Sequence, residues 1–135
     1  MKPKTFQTDL QFIQKLEHRS KPISCAEGFT LFKQGDAPTG LYILKSGEAS
    51  LMLETKTGAA VMCVEAEAGS LLGLTGMITN EPYSMTARVR RGSEVGFVPR
   101  SDFVNLIETE PWLYPTLLQI LAADVRSARH ALSGA

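Results

Sequence analysis

Residues 29–53 read FTLFKQGDAPTGLYILKSGEASLML, three short apolar runs separated by turn residues. Phe29–Phe32, Leu41–Leu44 and Ala49–Leu53 each have strand length and strand composition. Gly35-Asp36 and Ser46-Gly47 punctuate them as turns. In the third run Ala49, Leu51 and Leu53 alternate with Ser50 and Met52, the period of a strand with one buried face.

Working outward, the pattern continues. Glu27-Gly28 and Thr57-Gly58 read as turns, and Val61–Val64, Ser84–Val89 and Glu94–Val98 as further strands. Gly69–Met77 differs: Gly69, Gly73 and Gly76 are spread through an apolar stretch, where glycine permits close approach and left-handed backbone. Asn80-Glu81-Pro82 follows as a loop. Toward the N-terminus, Phe6, Leu10, Ile13 and Leu16 fall at helical spacing, and Lys21-Pro22 ends that helix. Toward the C-terminus a helix starts near Arg100–Phe103, with Ser101 or Asp102 as its N-cap, and Glu110-Pro111 interrupts it. Leu118, Leu121, Val125, Ala128 and Leu132 then form a heptad-like stripe.

These elements predict a mainly β fold, a double-stranded β-helix or jelly roll with an N-terminal helix and a long C-terminal dimerisation helix. Residues 1–135 form one domain, with the roll at 23–98 and the C-terminal helices at 100–132. The leucine stripe predicts a homodimer through the last helix.

Composition narrows the functional classes. Fourteen Lys and Arg balance fourteen Asp and Glu, so the chain lacks the basic footprint of a nucleic-acid binder or a polybasic membrane anchor. No apolar run reaches the length of a membrane span, and Met1–Phe6 lacks the apolar stretch of a signal peptide, which makes the cytoplasm the expected location. Cys25 and Cys63 form no CxxC pair, and Cys63 lies in an apolar run that predicts a buried, inert thiol. His18 and His130 stand in no ligand context and read as solvated or capping residues. Trp112, beside Pro111, is expected in core packing or a dimer contact. Neither a nucleophile elbow, a zinc-binding helix motif nor a phosphate loop is present, so the sequence predicts no enzyme and no metal site.

The order of these parts resembles the sensor domain of the catabolite-activator/oxygen-regulator (CRP/FNR) family of cyclic-nucleotide-binding type. Leu31-Phe32-x-x-Gly35-Asp36 and Leu41-Tyr42-Ile43-Leu44-x-Ser46-Gly47-Glu48 carry the resemblance, with Gly69–Gly76 at the phosphate-binding cassette and Glu94-Val95-x-Phe97-Val98 after it. The resemblance implies a cassette of Gly-Glu-(Leu/Ile) followed by Arg-(Ser/Thr)-Ala, whose helix N-terminus and Arg hold the cyclic phosphate and whose Glu holds the ribose. Here Gly73 keeps its place, Leu74 stands for the Glu, and Tyr83-Ser84-Met85 stands for Arg-Ser-Ala. Two lost charge-assisted contacts, at about 1.5–3 kcal/mol each, weaken such binding by orders of magnitude.

The candidate ligand site is therefore Gly73, Leu74, Thr75, Gly76, Tyr83, Ser84, Met85, Thr86 and Arg88, closed by Ala128 and Arg129 of the last helix. Arg88 lies four residues after Ser84 and reads as part of a solvated strand end with Arg90 and Arg91. Tyr83 serves either as an aromatic platform or as a plug beside Leu74 and Met85. Three readings stand. The chain is a non-catalytic sensor of a small-molecule effector other than a standard cyclic AMP ligand, a ligand-free dimerisation or protein-interaction module, or a weak cyclic-nucleotide binder using backbone N–H groups alone. No cofactor, membrane or direct nucleic-acid partner is expected, since the DNA-reading helices that follow the long helix in this family have no counterpart before Ala135.

Overall fold

The computed structural model describes residues 11–25 and 29–119. Eight strands run as β1 (Lys21–Cys25), β2 (Phe29–Phe32), β3 (Gly40–Ser46), β4 (Glu48–Glu54), β5 (Ala60–Glu67), β6 (Leu71–Leu72), β7 (Thr86–Val89) and β8 (Ser93–Pro99). They form two four-stranded antiparallel sheets, ordered β1-β8-β3-β6 and β2-β7-β4-β5. The described part of helix α1 is residues 11–17; α2 covers Leu74–Thr79 and α3 Arg100–Thr109. A 3-10 turn, Pro111–Leu113, leads into α4, whose described part is residues 114–119. The rest of the expected dimerisation helix, with Leu121, Val125, Ala128, Arg129 and Leu132, lies outside the described residues, as do Phe6, Leu10 and His130.

The core divides at β3. Leu41 and Ile43 face the helices, joining Phe12 and Leu16 of α1, Leu74 and Met77 of α2, Phe103, Leu106 and Ile107 of α3, and Leu113 and Leu117. Tyr42 and Leu44 face the other way, into the space between the sheets, with Phe32, Ala49, Leu72, Tyr83, Ala87, Val89 and Val95. Residues Gly40–Leu44 are all buried, because a strand covered on both faces needs an unbroken apolar run rather than alternation.

Corners where the chain passes from one sheet to the other hold the roll together. At the β3–β4 corner Gly47 has φ +94°, and a Cβ there would overlap the Ser93 hydroxyl. Ser93 is buried, and its Oγ both accepts from the Glu48 N–H and donates to the Glu48 carbonyl at 3.3 Å. Across the same corner the Gly92 N–H donates to the Cys25 carbonyl at 2.9 Å.

Several sequence expectations shift. The buried face of α1 is Phe12 and Leu16, with Ile13 packed against them. Lys21-Pro22 ends the helix as expected but also begins β1, where proline is tolerated on an edge strand. The last strand pair starts at Thr86 rather than Ser84. Helix α3 begins at Arg100 with Pro99 as its N-cap, so Ser101 and Asp102 lie inside the first turn, where Asp102 complements the helix dipole. Cys25 is buried, but Cys63 is exposed on the edge strand β5 and donates to Glu65 Oε2 at 3.7 Å. Burial raises the Cys25 thiol pKa; for Cys63, desolvation and then the Glu65 carboxylate raise it. Trp112 is half exposed rather than in the core, its Nε1 donating to Glu110 Oε1 at 3.2 Å and Lys15 Nζ lying 5.9 Å from its ring centre.

The corner glycine gives a direct test. Gly58 shares the left-handed conformation, at φ +91°, but nothing lies within 4 Å of a Cβ there. Gly58→Ala is expected to cost only the conformational term, about 1–2 kcal/mol. Gly47→Ala adds the Ser93 overlap and is expected to cost more than twice as much, read as the difference in urea midpoint between the two variants.

Candidate functional site

The segment Gly69–Thr86 crosses from the helix side of β3 to the space between the sheets. After the short strand β6 the chain turns at Gly73, φ +88°, and enters the six-residue helix α2. Only glycine fits here: a Cβ would approach the Tyr83 ring to 2.9 Å and the Phe32 ring to 3.4 Å. Asn80, in the left-handed region at φ 58°, ends α2 and donates its N–H to the Gly76 carbonyl at 2.9 Å. The chain then loops back through Glu81 and Pro82 to Tyr83.

Tyr83 is the centre of the arrangement. It is 3% exposed, and its ring stacks on Phe32 with centroids 4.0 Å apart and planes at 19°. Its hydroxyl accepts from the Gly40 N–H at 3.2 Å and donates to the Gly40 carbonyl at 2.5 Å. Its backbone is held on both sides, with the Gly35 N–H donating to the Tyr83 carbonyl at 2.8 Å and the Tyr83 N–H donating to the Asp36 carbonyl at 3.0 Å. The aromatic row continues from Phe32 to Tyr42 at 5.7 Å and from Tyr42 to Phe97 at 5.0 Å. The Tyr42 hydroxyl donates to the Leu31 carbonyl at 3.3 Å, and burial, reinforced by Tyr83, pushes its phenol above the ordinary range.

The other candidate residues scatter. Leu74 is buried at 2% but packs on the helix side of β3 with Met77, whereas Tyr83 belongs to the cluster between the sheets. A joint plug of Leu74, Tyr83 and Met85 is therefore corrected to Tyr83 on Phe32, because the first residue of α2 and the loop residue Tyr83 enter opposite sides of the same layer. Thr75 and Ser84 are exposed, Gly76 is buried and Met85 is half-buried. Thr86 is buried on the outer side of its sheet, its hydroxyl donating to Glu54 Oε1 at 2.9 Å and accepting from the Gln34 N–H at 3.0 Å. Arg88 is exposed between buried Ala87 and Val89, in register with Thr30 and Ser50 and turned away from the core. Ala128 and Arg129 lie outside the described residues.

Charge is the decisive property of the segment. From Gly69 to Thr86 the sequence contains no Lys, Arg or His, and its one acidic side chain, Glu81, is exposed. Among the described residues, the hydroxyls of Tyr42 and Tyr83 in the cluster between the sheets both bond backbone carbonyls. The inner face of β4 and β5 beside them carries half-buried Leu51, Leu53, Met62 and Val64, paired as Leu51 with Val64 and Leu53 with Met62. Such a surface suits apolar, uncharged groups. Sequence reading missed Phe32 and Gly40 as Tyr83's partners, and the Gln34–Glu54–Thr86 bonds behind it. Their only sequence signal is the order of strands that brings β2, β3 and β7 together. Among the described residues no three His, Cys, Asp or Glu side chains gather as a metal site, and no helix is long and apolar enough to cross a membrane. A shallow depression of about 430 Å³ lies elsewhere, lined by Gln14, Glu17, exposed His18 and Lys45.

Comparison with known proteins fits this geometry. The Arabidopsis thaliana potassium channel AKT1 is 33% identical over 75 residues, 56% of this chain and 9% of the channel. The transcriptional activator protein FnrA of Stutzerimonas stutzeri is 27% identical over 118 residues, 87% of this chain and 47% of the activator. The chain thus spans less than half the length of each of these relatives. The crystal structure of Thermus thermophilus Catabolite Activator Protein shares the fold, with a TM-score of 0.77 at 23% identity over 91% of this chain and 58% of that one. A family model described as the cyclic nucleotide-binding domain matches residues 22–110. That span runs from β1 through α3, and the chain belongs to the cyclic nucleotide-binding domain family.

Proposed function

We propose that this domain is a non-catalytic regulatory module of CRP/FNR type whose cassette is closed to the anionic cyclic phosphate. The observation that carries this reading is Tyr83. At the place where the resemblance puts an arginine, a neutral ring is stacked on Phe32 and its hydroxyl is already bonded to Gly40. A cyclic phosphate placed there would lose water without gaining a cation, an uncompensated burial of charge. Any effector of the roll is uncharged and apolar, held against Leu51, Leu53, Met62, Val64 and Met85. Relatives named as a transcriptional activator and a Catabolite Activator Protein support the regulatory role.

A second feature favours assembly as the output. Tyr114 and Leu118, one helical turn apart on α4, are 47% and 63% exposed, while Leu113, Thr116 and Leu117 between and before them are buried. An apolar stripe left open on a helix already packed by its other face supports a two-fold dimer along this helix. The ligand-free dimerisation module rests on the same stripe and differs only in leaving the roll unoccupied.

Three measurements check these readings. The first is a melting-temperature screen of the purified chain with cyclic AMP and cyclic GMP. A functional site gains about 2.7 kcal/mol at a hundredfold ligand excess over its dissociation constant. We expect no shift with either nucleotide, and a saturable shift overturns the closed cassette. The second is Leu74→Glu, which puts a carboxyl among Phe12, Leu41 and Met77. Desolvation raises the folded-state pKa of such a group, so its cost grows as pH rises through the carboxylate range. We expect a loss of more than about 3 kcal/mol at neutral pH and a smaller loss under acid conditions. A pH-independent, near-neutral outcome would mean that position 74 faces a wet ligand site. The third is Leu118→Glu, expected to halve the molar mass measured by light scattering; an unchanged mass places the contact elsewhere or shows a monomer.

A further inference from the structure

We propose that Tyr83 is a latch that couples the cassette glycine Gly73 to the start of helix α3, through a single peptide group. The Thr39–Gly40 peptide is gripped from both ends. Its N–H, that of Gly40, donates to the Tyr83 hydroxyl at 3.2 Å. Its carbonyl, that of Thr39, accepts from the backbone N–H of Arg100, the first residue of α3, at 3.0 Å. The two bonds are in series across one rigid plane, so each polarises the other and rotation of the plane strains both. The same hydroxyl also donates to the Gly40 carbonyl, and Gly40 pairs with Pro99, the N-cap of α3.

At its other end the latch touches the cassette. The Tyr83 ring lies where a side chain on Gly73 would have to go, 2.9 Å from the position of its Cβ. Its backbone cannot retreat, because the Gly35 and Asp36 bonds tie it to the β2–β3 loop. That loop is itself braced by the Lys33 N–H on Asp36 Oδ2 at 3.1 Å and the Asp36 N–H on the Lys33 carbonyl at 3.0 Å. A group pressing on Gly73 therefore moves the ring rather than the chain, and turning the ring off Phe32 withdraws the hydroxyl from Gly40. Helix α3 leads directly into the 3-10 turn and α4, which present Trp112, Tyr114 and Leu118 to solvent. Tyr83 is thus a positioning residue: latched, it fixes the entry of α3; released, it frees the helices that carry the exposed apolar stripe. This goes beyond the closed cassette, since the coupling exists whatever presses on Gly73.

Residue-resolved amide hydrogen exchange on the whole chain tests it. Tyr83→Phe keeps the ring and removes only the hydroxyl. Exchange at the Gly40 and Arg100 amides is expected to quicken about tenfold, while Ile23 and Val95, paired across β1 and β8, keep their protection. An unchanged Arg100 amide overturns the latch. A uniform loss of protection, including Ile23 and Val95, shows a merely structural hydroxyl and also overturns it. Gly73→Ala supplies the second arm. It is expected to quicken Arg100 in the wild-type background and to add nothing in the Tyr83→Phe background, and additive effects break the proposed coupling. If Gly73→Ala does not fold, Phe32→Leu, which removes the stacking face, takes its place with the same expected non-additivity.

Discussion

Strand β3 has no solvent face over Gly40–Leu44, and the rest of the molecule is arranged around that fact. Leu41 and Ile43 hold the helices, and Tyr42 and Leu44 hold the second sheet. Each such side chain is worth about 1.5–3 kcal/mol when buried, so losing either face would remove several kilocalories from a marginal total. Because two clusters share one strand, anything fixed to the start of β3 is fixed relative to both layers. Gly40 is at that start, and Tyr83 is bonded to it.

The polar chemistry inside the roll follows from the same packing. Buried hydroxyls must be paired, and the tyrosines achieve this with backbone groups of β2 and β3 rather than with charges. No cation is available between Gly69 and Thr86, and Arg88, the next one along the chain, is exposed on β7. Thr86, buried at the start of β7, bonds Glu54 and Gln34 on the outer side of its sheet. The segment from Gly69 to Thr86 thus meets a neutral, hydrogen-bonded interior.

Much of this was legible in the chain. The strand runs, the turn glycines, the break at Glu110-Pro111 and the altered cassette all show in local composition and spacing, since each is a property of neighbouring residues. The site was legible only as a list of positions. The resemblance puts Leu74 and Tyr83 at one cavity, yet β3 lies between their two clusters. Every residue from Val61 to Val64 is apolar, and a uniformly apolar run does not reveal which phase of the two-residue period meets the core, so the exposure of Cys63 is not visible in the sequence.

The sequence by itself determined a β-roll flanked along the chain by helices, a glycine at Gly73, and a Gly69–Thr86 segment without Lys, Arg or His. Tertiary structure alone decided that Tyr83 turns inward onto Phe32, that its hydroxyl closes on Gly40, and that the same peptide reaches the first turn of α3. The reason is distance along the chain. Tyr83 and Gly40 are 43 residues apart. No local propensity encodes a hydrogen bond between them, and only the pairing of strands from two sheets brings them together.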